Sequence, residues 1–218
     1  MTKEHLIEQT EDYVKKFLQG ESSGHDWWHI YRVWKMAYKI AREEKDNDLF
    51  VIQIASLLHD IGDWKFNKGK EDIGQKLARI WLEKLNIEEK SIYHVCEIIK
   101  DISFKGAGVR TLMKTKEGMI VQDADRLDAI GAIGIARCFA YGGWKGVEIY
   151  NPELKPKIHK TFEEYKKAKT TSINHFYEKL LLLKTLMNTK TAKRIAEKRH
   201  KFMKRYLNKF FKEWDGKN

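Results

Sequence analysis

An all-helical bundle is the fold class this sequence predicts, and three observations carry it. Only two of the 218 residues are Pro, so little in the chain stops a helix. Apolar residues recur at three- and four-residue spacing through most of its length. No alternating apolar–polar run exceeds five residues, which leaves strands without a strong candidate. A hydrophobic fraction of 42% with seven Trp argues for a packed globule rather than a disordered chain. The length suits one sizeable core.

The elements follow in order. Residues 3–18 read as an amphipathic helix with Leu6, Ile7, Tyr13, Val14 and Phe17 on one stripe. Gly20 to Gly24 breaks it. The second helix runs from about Asp26 to Glu44, with Trp28, Ile30, Val33, Trp34, Ala37 and Ile40 apolar. After an acidic turn, Leu49–Ile61 is apolar almost all round, the mark of a core helix. Lys70–Leu85 and Glu88–Ile102 follow, then a glycine-bearing loop from Ser103 to Gly108. Lys116 to about Ala140 reads as one long helix, with Gly131 and Gly134 on one face permitting close helix contact at some cost in propensity. Gly142, Gly143, Gly146, Asn151, Pro152 and Pro156 mark a long irregular connection. Helices over about Thr170–Met187 and Thr191–Trp214 close the chain. Ile173, Phe176, Leu180 and Leu183 form a stripe that needs a core to cover it, which favours a single domain over two.

Composition excludes several classes. No run of 18 apolar residues exists, and the densest, Leu180 to Leu183, is short and flanked by Lys. The charged N-terminus does not read as a signal peptide. Cys96 and Cys138 have neither metal-site nor redox spacing, which suits a reducing cytoplasm. A membrane partner is not expected. The net charge of +11 is uneven. Residues 1–150 hold 23 Lys+Arg against 24 Asp+Glu, while residues 151–218 hold 19 against 7. A field of that sign attracts anions such as nucleotides, nucleic acid or acidic surfaces.

The chemistry gathers around A-S-L-L-H-D-I-G-D-W, residues 55–64. A lone His-Asp pair is ordinarily a satisfied histidine beside a surface acid. Here it ends an apolar core helix, where burying an imidazole and a carboxylate is costly unless they are paired or bind a metal. His29 and Asp125 complete a candidate set with His59 and Asp60. Two imidazoles and two carboxylates suit Mn²⁺, Mg²⁺, Fe²⁺ or Ni²⁺ better than a structural zinc, and the carboxylates neutralise a divalent charge. Asp125 sits in V-Q-D-A-D-R-L-D, three acids within six residues of an otherwise apolar helix. That is expensive unless a cation or an Arg126-centred ion-pair cluster stands opposite.

These motifs resemble a known family. H-I-Y-R-V at His29, L-L-H-D at His59–Asp60 and D-A-D-R-L-D at Asp125 are similar to the metal-binding set of the HD-superfamily metal-dependent phosphohydrolases. G-H-D-W-W-H, H-D-I-G-D, I-S-F-K-G, D-A-D-R-L-D-A-I-G-A-I-G-I-A-R and I-N-H-F-Y-E-K-L, in this order, resemble the stand-alone bacterial YedJ/YpgQ-type branch. The resemblance covers roughly residues 20–205. It implies an all-α HD-domain helical bundle with additional C-terminal helices, one domain over 1–218. Its HD core would span about 20–140, with basic helices of about 157–214 packed on it.

The resemblance also implies roles. His29, His59, Asp60 and Asp125 would bind a divalent metal. Asp63 falls where HD alarmone hydrolases carry the acid that handles the attacking water, and it stands four residues after His59, on the same face of a helix. Those enzymes follow it with a second acid; here Trp64 stands there, which disfavours an alarmone substrate. His25, after Gly24, turns into the cleft as a second catalytic candidate. Arg32, Lys105, Arg126 and the pair His175 and Lys179 are candidates to hold phosphate charge. Asp123 and Asp128 read as acids that orient neighbouring His or Arg groups.

The function these readings favour is a nucleoside triphosphate pyrophosphohydrolase dependent on Mn²⁺ or Mg²⁺, with a nucleotide or other phosphorylated small molecule as substrate. The alternatives are a monophosphate phosphatase or phosphodiesterase of the same fold, and a basic nucleic-acid-binding helical protein without activity. Against the last, Phe202, Tyr206, Phe210 and Phe211 read as a core stripe at helical spacing, and no nucleic-acid motif is present. A homodimer is compatible with the sequence.

Overall fold

The computed structural model describes residues 1–20, 26–62, 73–102, 111–158, 161, 164 and 170–217. Helices α1 (Lys3–Phe17), α2 (Trp27–Glu44), α3 (Leu49–Leu58), α4 (Ile73–Lys84), α5 (Glu89–Asp101) and α6 (Lys116–Asp128) are followed by α7 (Gly131–Trp144). A short α8 (Ser172–His175) continues into a wide π turn over Phe176–Leu180 and a tight 3-10 turn over Leu183–Leu186, before the long α9 (Lys190–Trp214). No strand occurs among the described residues, and the all-α expectation holds. None of their helices is long and apolar enough to cross a membrane.

The chain divides into two compact units, and among the described residues the division falls within α6, after Ala124. In the first unit α3 is central, packed against α1, α2 and α5, while α4 pairs with α5. Ile52, Ile54, Ala55, Leu57 and Leu58 of α3 are fully buried, so the all-round apolar reading is correct. Two hydrogen bonds and one ring stack tie these helices together. Trp34 Nε1 donates to Gln53 Oε1 at 3.1 Å, Trp81 Nε1 donates to Thr10 Oγ1 at 3.1 Å, and the Trp81 ring stacks on Tyr13 at 4.0 Å. Local sequence starts these helices: Asp26 caps α2 through the His29 N–H, and Asp48 caps α3 through Phe50 and Val51.

In the second unit α7 packs against α8 and α9. The predicted stripe Ile173, Phe176, Leu180 and Leu183 is buried. Glu178, also buried, accepts hydrogen bonds from the Lys157 N–H at 3.1 Å and from Thr170 Oγ1 at 2.8 Å.

Two helix expectations need correction. The single helix over 116–140 is two helices, because Ile130 is extended and Gly131 takes φ +82°, a backbone region open to Gly and costly for other residues. Gly134 then lies so close to Ala129 that a Cβ there would meet its carbonyl oxygen at 2.2 Å. The two glycines serve this break in the helix. Nor is 170–187 one regular helix: Leu181 N–H bonds the Phe176 carbonyl five residues back, at 2.8 Å. Four consecutive leucines cannot share one face, and the change of pitch buries Leu180 and Leu183 while leaving Leu181 and Leu182 half-buried.

Candidate metal centre

The site begins where α3 stops. Leu58 is its last residue, and His59 keeps helical angles for one more position. Gly62 follows, and its backbone runs against α4: a Cβ there would meet Gly74 N at 2.7 Å and Gly74 Cα at 2.9 Å. Glycine at this point is therefore a requirement of close backbone approach.

His29 reaches the same place from the first turn of α2, fully buried. His59 Nε2 lies 3.3 Å from His29 Nε2. Asp60 brings Oδ2 to 3.3 Å from His29 Nε2 and Oδ1 to 3.9 Å from His59 Nε2. Asp125 follows Ala124 on α6, and one ligand atom each from His29, His59 and Asp125 lie within 4.8 Å of one another. All four expected ligands are thus brought together.

The tautomer of His59 follows from its other nitrogen. Nδ1 sits 2.8 Å from the Ser56 carbonyl oxygen; a carbonyl only accepts, so Nδ1 carries the hydrogen. The Nε2 lone pair of the neutral ring then points among two carboxylates and a second imidazole. Nitrogen and oxygen donors gathered in this way in a buried place suit a divalent cation, and an imidazole fixed through its far nitrogen is the usual support for a metal ligand. The residues present therefore fit a metal.

The neighbouring acids and bases divide by position. Asp123 is fully buried, and Asp128 pairs with Arg137 Nη1 at 2.8 Å, so Asp128 orients an Arg as expected. Arg126 is buried and donates from Nη1 to the Leu186 carbonyl, while Arg199 donates from Nη1 to the Leu127 carbonyl. Arg32 lies one turn along α2 from His29 and is partly exposed. His175 and Lys179 are partly exposed in the second unit. Asp63, His25 and Lys105 lie outside the described residues. The sequence reading missed the supporting groups Ser56 and Arg137. Ser56 acts through its main chain and leaves no signal; Arg137, nine residues beyond Asp128, becomes a neighbour only because the helix breaks between them.

The HD-domain family model matches residues 27–130, a segment containing all four clustered side chains. YpgQ of Bacillus subtilis (strain 168) is 37% identical over 212 residues, covering 96% of this chain and 94% of YpgQ. This chain belongs to the HD family. The HD protein is also similar to solved structures. One from Lactobacillus plantarum has TM-score 0.87 and 37% identity, covering 99% of this chain and 100% of that one. An HD-superfamily hydrolase from Bacillus thuringiensis has TM-score 0.76 and 45% identity, covering 98% and 99%. YpgQ itself, solved in complex with ADP, has TM-score 0.74 and 36% identity, covering 95% and 97%. The HD protein is accordingly a metal-dependent hydrolase.

Proposed function

We propose that this HD hydrolase acts on nucleoside triphosphates and releases the monophosphate and pyrophosphate. The observation that carries the reading is the convergence of His29, His59 and Asp125 ligand atoms within 4.8 Å, with Asp60 alongside. Support for a nucleotide comes from YpgQ, a near full-length relative whose structure was solved with ADP.

In this reading His29, His59, Asp60 and Asp125 hold a divalent cation, Mn²⁺ or Mg²⁺, with Fe²⁺ and Ni²⁺ compatible with the same donors. When bound, it supplies a Lewis acid for a phosphoryl oxygen and lowers the pKa of water. The protein's own groups do the rest. Ser56 holds the His59 ring in the tautomer that leaves Nε2 as a donor of electrons. Asp63 accepts the proton of the water that attacks the α-phosphorus, and His25 is the second catalytic candidate. The bond to the bridging oxygen breaks as pyrophosphate leaves, and Arg32, Lys105, Arg126, His175 and Lys179 hold its charge.

The test is product analysis across a nucleotide panel with Mn²⁺ supplied. Pyrophosphate as the released product is expected. Inorganic phosphate would transfer the reading to a phosphatase, and no release from any nucleotide would overturn it. His59→Ala should lose bound metal and activity together. Asp63→Asn should keep the metal and lose about 10²–10⁴-fold in rate, the usual share of a general base.

A further inference from the structure

The chemistry above leaves α9 unused, yet this helix carries most of the molecule's net positive charge. Residues 190–212 hold ten Lys+Arg against one acid, Glu197. At 100° per residue, Lys190, Lys198, Lys201, Lys204, Arg205 and Lys209 fall on one side. The other side, with Ala192, Ala196, Met203 and Leu207, is buried in the second unit. Of these cations Lys201 pairs with Glu197 at 3.6 Å and Lys209 with Glu213 at 3.4 Å, but both pairs are exposed, where an ion pair is weak.

Phe202 separates this face from an ordinary solvated one. Tyr206, Phe210 and Phe211 of the expected core stripe are half-buried; Phe202 is 41% exposed. Its position puts Lys198 one turn before it and Arg205 one turn after, and the Arg205 guanidinium carbon lies 6.0 Å from the ring centroid. Lys198, Lys201, Lys204 and Arg205 line a groove of about 490 Å³ on the same face.

We propose that this face is a docking surface for single-stranded nucleic acid. The lysines and Arg205 follow the phosphates, and the Phe202 ring stacks an unpaired base. Cations interleaved with an exposed aromatic are what a single strand needs, because every unpaired base offers a flat face and every nucleotide a charge. A duplex hides its bases and has no use for the ring. A lipid surface would need the apolar side of α9, which is committed to the core. The proposal is independent of the nucleotide reading, since none of these residues belongs to the metal cluster.

Fluorescence anisotropy with a labelled 12-nucleotide oligothymidylate tests it. With four cations engaged, binding should weaken about 50-fold between 50 and 200 mM salt. Phe202→Ala should weaken it about 5- to 150-fold at every salt concentration while leaving the slope unchanged. The triple variant Lys198→Glu, Lys204→Glu, Arg205→Glu should abolish binding and flatten the salt dependence, with nucleotide hydrolysis and circular dichroism as in the parent. The proposal is overturned by absence of binding at 50 mM salt, by a Phe202→Ala effect under twofold, or by tighter binding to a 12-base-pair duplex or to anionic phosphatidylserine vesicles.

Discussion

Cys138 shows at the level of one residue how burial becomes a pH dependence. Its Sγ lies 3.4 Å from the Ser172 carbonyl oxygen, and burial pushes the thiol from 9.0 up to about 12, with Lys179 opposing only weakly. The unfolded chain therefore gives up this proton first. Between pH 9 and 12 it binds fewer protons than the folded chain, so stability falls as pH rises. Below pH 9 the contribution is complete. Urea midpoints at pH 8, 9.5 and 10.5 should show the advantage of the parent over Cys138→Ala shrinking at each step. A constant difference would mean that the thiol ionises equally in both states.

Among the elements, the close approach of Gly62 to α4 bears on how firmly the His-Asp pair is held. Gly62 has the Gly74 backbone at van der Waals contact, so Gly62→Ala must move main chain rather than a flexible side chain. We expect a loss of about 1–3 kcal/mol, the usual cost of overpacking, with weakened metal binding because the shift begins two residues from Asp60. Calorimetry with metal titration checks both; unchanged affinity would show the pair to be held by α3 alone. The elements also mark where sequence reading works. The apolar stripes and the turns between them fix α1 to α5 within a few residues. The break at Ala129–Ile130 was hidden because its residues are apolar and continue the helical pattern. Only Gly131 carried a signal, and a glycine on a helix face looks the same as a glycine at a reversal until φ is known. Over 172–186 the run of four leucines offered no way to tell which would be inward, and a change in pitch decided it.

For the whole molecule, metal and stability are linked. In the proposed reading a cation held by residues of α2, α6 and the end of α3 would bind the folded chain and not the unfolded one, so saturation a hundredfold above Kd would add about 2.7 kcal/mol. For a chain of this size that is about 5–10 °C in Tm. Chelation with EDTA should lower Tm by that amount, and Mn²⁺ should restore it; His59→Ala should melt at the same temperature in either buffer. The side chains that cluster were legible between residues 29 and 125, because H…HD…D must be written in side chains. The group that aims His59 was not, because it is the carbonyl of Ser56, whose own hydroxyl is turned away to Ile52 O at 2.7 Å. Every amino acid brings that same oxygen. Position 56 is therefore free to drift among small helix-compatible residues without loosening the imidazole, and a part of the machinery that catalysis depends on leaves no trace in any comparison of letters.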